Sequence, residues 1–196
     1  MKYGMLFLFL VFSFASFNLQ AQEAPQIKYS KSEGRDKKFY KQVEPLVNQF
    51  VQGLLDQDGT KWENMCDPGA GFVFRYLGQY NVRLTCPALG RLFKENNSRW
   101  WGRQDGTGKP ITGNFGAVWY DKLSKIAKSH DIRGVNIFVN SGNAVDKMIG
   151  KLPFIDLAWS GSEQNGNMDW QSVRLFFQKS SGRWYLQGLD IYHWTI

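Results

Sequence analysis

From Asp36 to Leu55 the chain repeats one pattern: Phe39, Val43, Leu46, Val47, Phe50, Val51, Leu54 and Leu55 recur three and four positions apart. That period lays an apolar stripe along a single helical face and leaves polar side chains on the other. Pro45 lacks the amide that the helical ladder needs, which predicts a kink or the start of the helix's second half; Gly59 predicts its end. A loop follows at Asn64-Met65-Cys66-Asp67-Pro68-Gly69. The aromatic and β-branched run Phe72-Val73-Phe74-Arg75-Tyr76 then reads as a strand, with Tyr80 to Thr85 as its hairpin partner. Pro87 suits the first turn of a helix whose apolar stripe is Leu89, Leu92 and Phe93. Residues 100–114, with Gly102, Gly106, Gly108 and Gly113, read as a long loop.

Asn114 stands at the N-cap of a second clear helix, whose buried face is Phe115, Val118, Trp119, Leu123, Ile126 and Ala127. Three or four strands follow, over 135–139, 154–159, 172–178 and 183–196. The last two are joined by the hairpin signal Lys179-Ser180-Ser181-Gly182. Helices first and antiparallel strands last predict a single α+β domain over residues 36–196, with helices packed on one face of a curved antiparallel sheet. Residues 22–35 are polar and are expected to form a flexible lead-in. The chain shows no internal repeat and no second domain.

Residues 1–21 obey a different logic. Lys2 precedes the apolar run Met5 to Phe17, and the small Ala21 precedes Gln22-Glu23-Ala24-Pro25, the layout of a secretory signal peptide. As a helix that run would cover about 20 Å, short of the roughly 30 Å hydrocarbon core, so cleavage rather than anchoring is expected. A periplasmic or secreted protein with no membrane attachment follows. Its formal charge of +7, one less without Lys2, favours anionic partners such as an acidic glycan or an acidic protein. The compartment argues against nucleic acid. Cys66 and Cys86 are the only cysteines, and in an oxidising compartment they are expected to pair. A structural disulfide removes cysteine catalysis from consideration.

Motifs with chemistry are few. Gly106-Thr107-Gly108-Lys109 invites a phosphate loop, but Arg103 stands where the first Gly is needed and Pro110 where Ser or Thr is needed. A surface turn is the better reading, and no cofactor is expected. His130 and His193 are the only histidines and neither has a second ligand at metal spacing, so no metal site is expected. His130 sits just past the second helix, where it suits the helix dipole.

The last strand carries the catalytic candidates, Asp190 and His193. Side chains alternate along a strand, so the two cannot share a face. A regular strand would send Asp190 inward with Trp184, Leu186 and Tyr192. A bulge at Gly188 would instead send in Leu189, Ile191 and His193, and is favoured because it buries the two aliphatics. Partners weighed for His193 are Asp131, Asp156 and Tyr120, with Asp156 expected on the solvated face. Arg99, Trp100, Trp101 and Arg103 combine interface-forming residue types in a loop and make the best candidate for ligand or partner binding.

Two resemblances complete the reading. Asp169-Trp170, Ser172-Val173-Arg174-Leu175-Phe176-Phe177, Gly182-Arg183-Trp184-Tyr185-Leu186 and Trp194-Thr195-Ile196 resemble the ending of a family of exported bacterial proteins with no assigned activity. Trp101-Gly102 with Gly106-Thr107-Gly108-Lys109-Pro110-Ile111 resembles a second block of that family. Its members often carry a His-Asp pair before the terminal Trp; Tyr192-His193-Trp194 here lacks the Asp. The element order also resembles the NTF2-like cone, which implies a pocket between sheet and helix. The function expected from all this is non-catalytic binding of a small ligand, glycan or protein. The alternatives are a hydrolase or isomerase using His193 in the cone pocket, and an inhibitor or immunity-type partner of a secreted enzyme.

Overall fold

The amphipathic stripe folds as helix α1 (Arg35–Leu55) in the computed structural model, which describes residues 28–29, 35–140 and 152–194. The predicted signal peptide and Thr195-Ile196 lie outside the described residues. Pro45 lies inside α1 with its side chain exposed. Gly59 does not end this helix. Gln57 turns the chain with a φ of 54°, and Gly59 opens a second helix, α2 (Gly59–Glu63), behind the capping side chain of Asp58. The glycine is needed for packing: a Cβ there would lie 1.7 Å from the Gly90 carbonyl oxygen in helix α3 (Cys86–Arg91). The Cys66–Cys86 disulfide, with Cα atoms 5.5 Å apart, joins the chain just past α2 to the start of α3. Closing this loop contributes roughly 3 kcal/mol through the unfolded state.

Among the described residues, seven strands form one mostly antiparallel curved sheet. They are β1 (Lys28–Tyr29), β2 (Phe72–Tyr76), β3 (Tyr80–Leu84), β6 (Ile132–Val135), β7 (Phe154–Trp159), β8 (Gln171–Ser180) and β9 (Arg183–His193), in the order β1-β6-β7-β8-β9-β2-β3. β1 runs parallel to β6 and β2 parallel to β9; the other pairs are antiparallel. Lys28–Tyr29 thus adds a short strand within the segment expected to be flexible. The β8–β9 turn carries positive φ at Ser181 and Gly182, 47° and 82°, as a tight hairpin turn requires.

Two predicted elements differ. Residues 100–114 are not a long loop but a two-stranded ribbon, β4 (Arg99–Arg103) with β5 (Pro110–Gly113). Its glycines serve close approach: a Cβ on Gly102 would lie 2.7 Å from the Tyr80 ring. The Trp101 indole ties the ribbon by donating to the Gly113 carbonyl at 2.9 Å. Strand β6 ends at Val135, where a strand over 135–139 was expected. Asn136, at a φ of 54°, turns the chain out of the sheet, and Phe138 then covers the Arg174 guanidinium at 4.0 Å.

The second helical region begins as predicted, with Asn114 Oδ1 accepting from the Ala117 amide at 2.7 Å. A π-helical turn (Gly116–Tyr120) leads into α4 (Asp121–Ser129). Helices α1 and α4 pack on one face of the sheet, where Val43, Val47, Trp119, Leu123, Leu157, Leu175 and Leu189 are fully buried in one core.

The predicted bulge is present. Phe176 pairs with Gly188 but Phe177 with Leu186, so Gln187 is the extra residue. Gly188 permits it, since a Cβ would sit 2.4 Å from the Val73 carbonyl oxygen. Beyond the bulge, Leu189 and Ile191 enter the helix-facing core, and Asp190 takes the other face of the sheet.

Candidate functional site

His193 ends β9 and Tyr76 ends β2, neighbouring parallel strands that finish at the same edge of the core. The Tyr76 hydroxyl lies 2.7 Å from His193 Nε2, and His193 Nδ1 lies 2.9 Å from the Trp194 carbonyl oxygen. A carbonyl only accepts, so Nδ1 carries the proton, Nε2 is the acceptor, and Tyr76 donates. Both ring nitrogens are therefore engaged within the chain. The two rings stack with centroids 5.6 Å apart, and Trp119 supports Tyr76 from beneath at 5.2 Å.

Burial lowers the His193 pKa; the Trp194 carbonyl opposes it in part, and Lys122 and Asp105 add smaller effects of opposite sign. The imidazole is neutral at neutral pH. Burial, with Asp105 nearby, raises the Tyr76 hydroxyl, so it stays protonated and able to donate. Above this pair opens a cleft of about 660 Å³. Gln104 and Asp105, from the turn between β4 and β5, form one wall. Val118 and Lys122 line it from the π-turn and α4, Ile111 from β5, and Trp194 at its lip. Desolvation lowers the pKa of Lys122, whose ammonium sits 5.2 Å from the Trp119 ring.

Of the partners weighed for His193, none meets it. Asp131 accepts from Ser160 N and Oγ at 3.1 and 2.8 Å, Tyr120 packs edge-on against Phe93, and Asp156 lies on the other face. Tyr76, Asp105 and Lys122 were not singled out from the sequence. Parity in Phe72-Val73-Phe74-Arg75-Tyr76 was the available signal: Tyr76 shares a face with Phe72 and Phe74 and alone adds a hydroxyl to it.

The expected binding loop comes apart. Trp101 is 1% exposed, locked among Phe74, Phe115 and Trp119, and cannot meet a partner. Arg99 is drawn to Glu95. Trp100 is 45% exposed and rests edge-on against Tyr80, while Arg103 is exposed and donates to the Gly108 carbonyl at 2.9 Å. The reason is strand alternation: a β-ribbon sends adjacent tryptophans to opposite sides.

Asp156 and Asp190 correct a second expectation. The face opposite the helices is not solvated where they stand. Asp156, Arg174, Asp190 and Arg75 are direct cross-strand neighbours on β7, β8, β9 and β2, and each is at most 1% exposed. Arg174 Nε lies 3.3 Å from Asp156, and Arg75 Nη1 lies 3.8 Å from Asp190. Asp190 also accepts from the Gly78 amide at 3.1 Å and the Tyr192 hydroxyl at 2.9 Å, and Asp156 accepts from the Val139 amide at 3.1 Å. Burial pushes both carboxyls up, while the guanidiniums and hydrogen bonds pull them back. Charges alternate along the row, so each carboxyl stands beside a guanidinium of a neighbouring strand.

His130 takes its expected place at the C-terminal end of α4, where its backbone amide donates to the Ile126 carbonyl. It is buried, Nδ1 donates to the Ala127 carbonyl at 3.0 Å, and Nε2 accepts from Arg133 Nε at 3.2 Å. Burial, then Arg133, lowers its pKa below 6.5. The unfolded chain therefore takes up a proton near pH 6.5 that the folded chain refuses. Stability from this group is complete above that pH and is lost as pH falls from there toward the lowered folded-state pKa. Urea denaturation between pH 7.5 and 5.5 should show this loss as a falling midpoint, and His130→Asn should show less of it.

Among the described residues, no group of three or more His, Cys, Asp or Glu side chains is placed to hold a metal ion, and no helix is long and apolar enough to cross a membrane. No protein-family model matches the chain, and no curated protein matches it. Solved structures do. An NTF2-like protein of unknown function from Shewanella baltica is 10% identical over 85% of this chain and 100% of its own, with a TM-score of 0.35. ActVI-ORFA from Streptomyces coelicolor is 11% identical over 80% and 97%, with a TM-score of 0.34. A de novo designed protein with a curved β-sheet is 10% identical over 78% and 97%, also at 0.34. Superpositions this loose leave the α+β, cone-like assignment resting on the strand order and the helices packed against one face.

Proposed function

We propose that this chain is an exported, non-catalytic binding protein that takes a small ligand in the cleft above Tyr76 and His193. The engagement of both His193 nitrogens carries this reading. A general base needs a free lone pair within reach of its substrate. This imidazole spends its lone pair on Tyr76, so the pair serves as a preset hydrogen-bonding floor. Mixed walls of Ile111, Val118, Lys122 and Asp105 suit a ligand held by a few polar anchors in a partly apolar cleft. Export through residues 1–21, and kinship with the exported family through the C-terminal blocks, belong to the same proposal.

Thermal unfolding in the presence of a panel of small molecules tests it. A ligand at a hundredfold excess over its Kd should raise the Tm by roughly 5–10 °C. Ile111→Trp, which fills the cleft, should abolish the shift. A shift that survives in Ile111→Trp would place binding elsewhere.

The 2.7 Å contact between Tyr76 and a neutral His193 supports one second reading, a hydrolase or isomerase in which the two relay a proton. Its mark is a pH–rate profile with a limb below 6.5 that disappears in His193→Ala.

A further inference from the structure

We infer that the ligand is a carbohydrate, with an uncharged sugar ring seated against Trp194; this rests on the cleft reading above. Trp194 stands at the lip with 45% of its surface exposed. It is braced rather than loose. Its amide donates to the Trp170 carbonyl at 3.1 Å, and the Trp170 ring meets it edge-on with centroids 6.5 Å apart. Holding a large aromatic in water forgoes the hydrophobic stabilisation its burial would bring. A fixed, exposed indole beside a polar cleft is a platform for a ligand with one flat apolar face.

Polar groups around that platform narrow the class. The Asp105 carboxylate can meet two hydroxyls, the Gln104 amide keeps its N–H donors while its Oε1 accepts from the Thr107 hydroxyl at 3.1 Å, and the Tyr76 oxygen keeps acceptor capacity after donating to His193. A sugar ring matches this set, with C–H bonds on its face and hydroxyls around its rim. An aliphatic ligand would leave Asp105, Gln104 and Lys122 without use. An anion would meet Lys122 but also Asp105, and the two charges offset each other. The cleft itself is neutral although the chain carries a formal charge of +7.

Isothermal titration calorimetry with cellotetraose, chitotetraose and maltotetraose tests the inference. Polygalacturonate and free amino acids serve as the anionic and zwitterionic comparisons. At least one neutral oligosaccharide should bind saturably. Trp194→Ala should weaken it about tenfold or more, Trp194→Phe should retain most of the affinity, and Trp100→Ala should change nothing. Because Trp194 is exposed, these variants should fold normally. Binding only of amino acids or polygalacturonate, abolished by Ile111→Trp, would overturn the sugar and leave the cleft reading standing. Oligosaccharide binding that persists in Ile111→Trp and Trp194→Ala but fails in Trp100→Ala would overturn both.

Discussion

Replacing Asp190 with alanine is expected to destabilise the folded domain by about 3–5 kcal/mol, as removal of one partner from a buried ion pair does. Asp190 sits between Arg75 and Arg174 in strand register, with no exposed surface. Its loss removes the carboxylate that stands beside the buried Arg75 and Arg174 guanidiniums. It also strands the Gly78 amide and the Tyr192 hydroxyl, each of which donates to Asp190. Urea denaturation at pH 7 measures the cost as a lower midpoint. Asp56→Ala supplies the contrast, because its pair with Lys61 lies on the surface, and such pairs contribute little. A loss below about 1 kcal/mol in Asp190→Ala would mean that water reaches the row and that its charges are screened.

Trp119→Ala is the second large effect, also about 3–5 kcal/mol, the usual range for emptying a buried aromatic site. Trp119 is fully buried and touches the rings of Phe74, Tyr76 and Trp101, with centroids 5.4, 5.2 and 6.3 Å away. It joins the core to the floor of the cleft, so its loss should act on both. Beyond the fall in stability, Tyr76 loses its support and the hydrogen bond to His193 should loosen. A rise in the His193 pKa toward 6.5, followed by NMR of the ring protons, would report this separately. Trp100→Ala, at the exposed tip of the same aromatic region, should stay within about 0.5 kcal/mol of the parent. Equal losses at Trp119 and Trp100 would contradict the assigned core.

How much of this was legible in the sequence depends on how local the signal was. The stripe of α1, the Asn114 cap, strand Phe154–Trp159 and the Ser181-Gly182 turn are written in neighbouring residues and emerge where expected. The bulge at Gln187-Gly188 was legible for the same reason, since Leu189 and Ile191 had to be buried. Glycines misled where their purpose was contact with distant groups. Gly59 meets Gly90 and Gly102 meets Tyr80, and neither neighbour is visible from the local pattern.

The site was half legible. Parity placed His193 on the helix-facing side, but its partner Tyr76 lies 117 residues away and reads as ordinary core in its own strand. Parity also assigned Asp156 to the opposite face correctly. Whether that face is wet depends on Phe138 and on the Gly78 turn folding over it, which no periodicity within β7 reports.

The preset binding floor stands or falls on the ¹⁵N spectrum of the His193 ring at pH 7, recorded in the parent and in Tyr76→Phe. A neutral ring is expected, with its proton on Nδ1 and a pKa below 6.5. Nε2 should be hydrogen-bonded in the parent and free in Tyr76→Phe. A charged ring at pH 7, or an Nε2 signal indifferent to Tyr76→Phe, would show that His193 is not closed onto Tyr76. Either result would contradict a floor fixed before any ligand arrives.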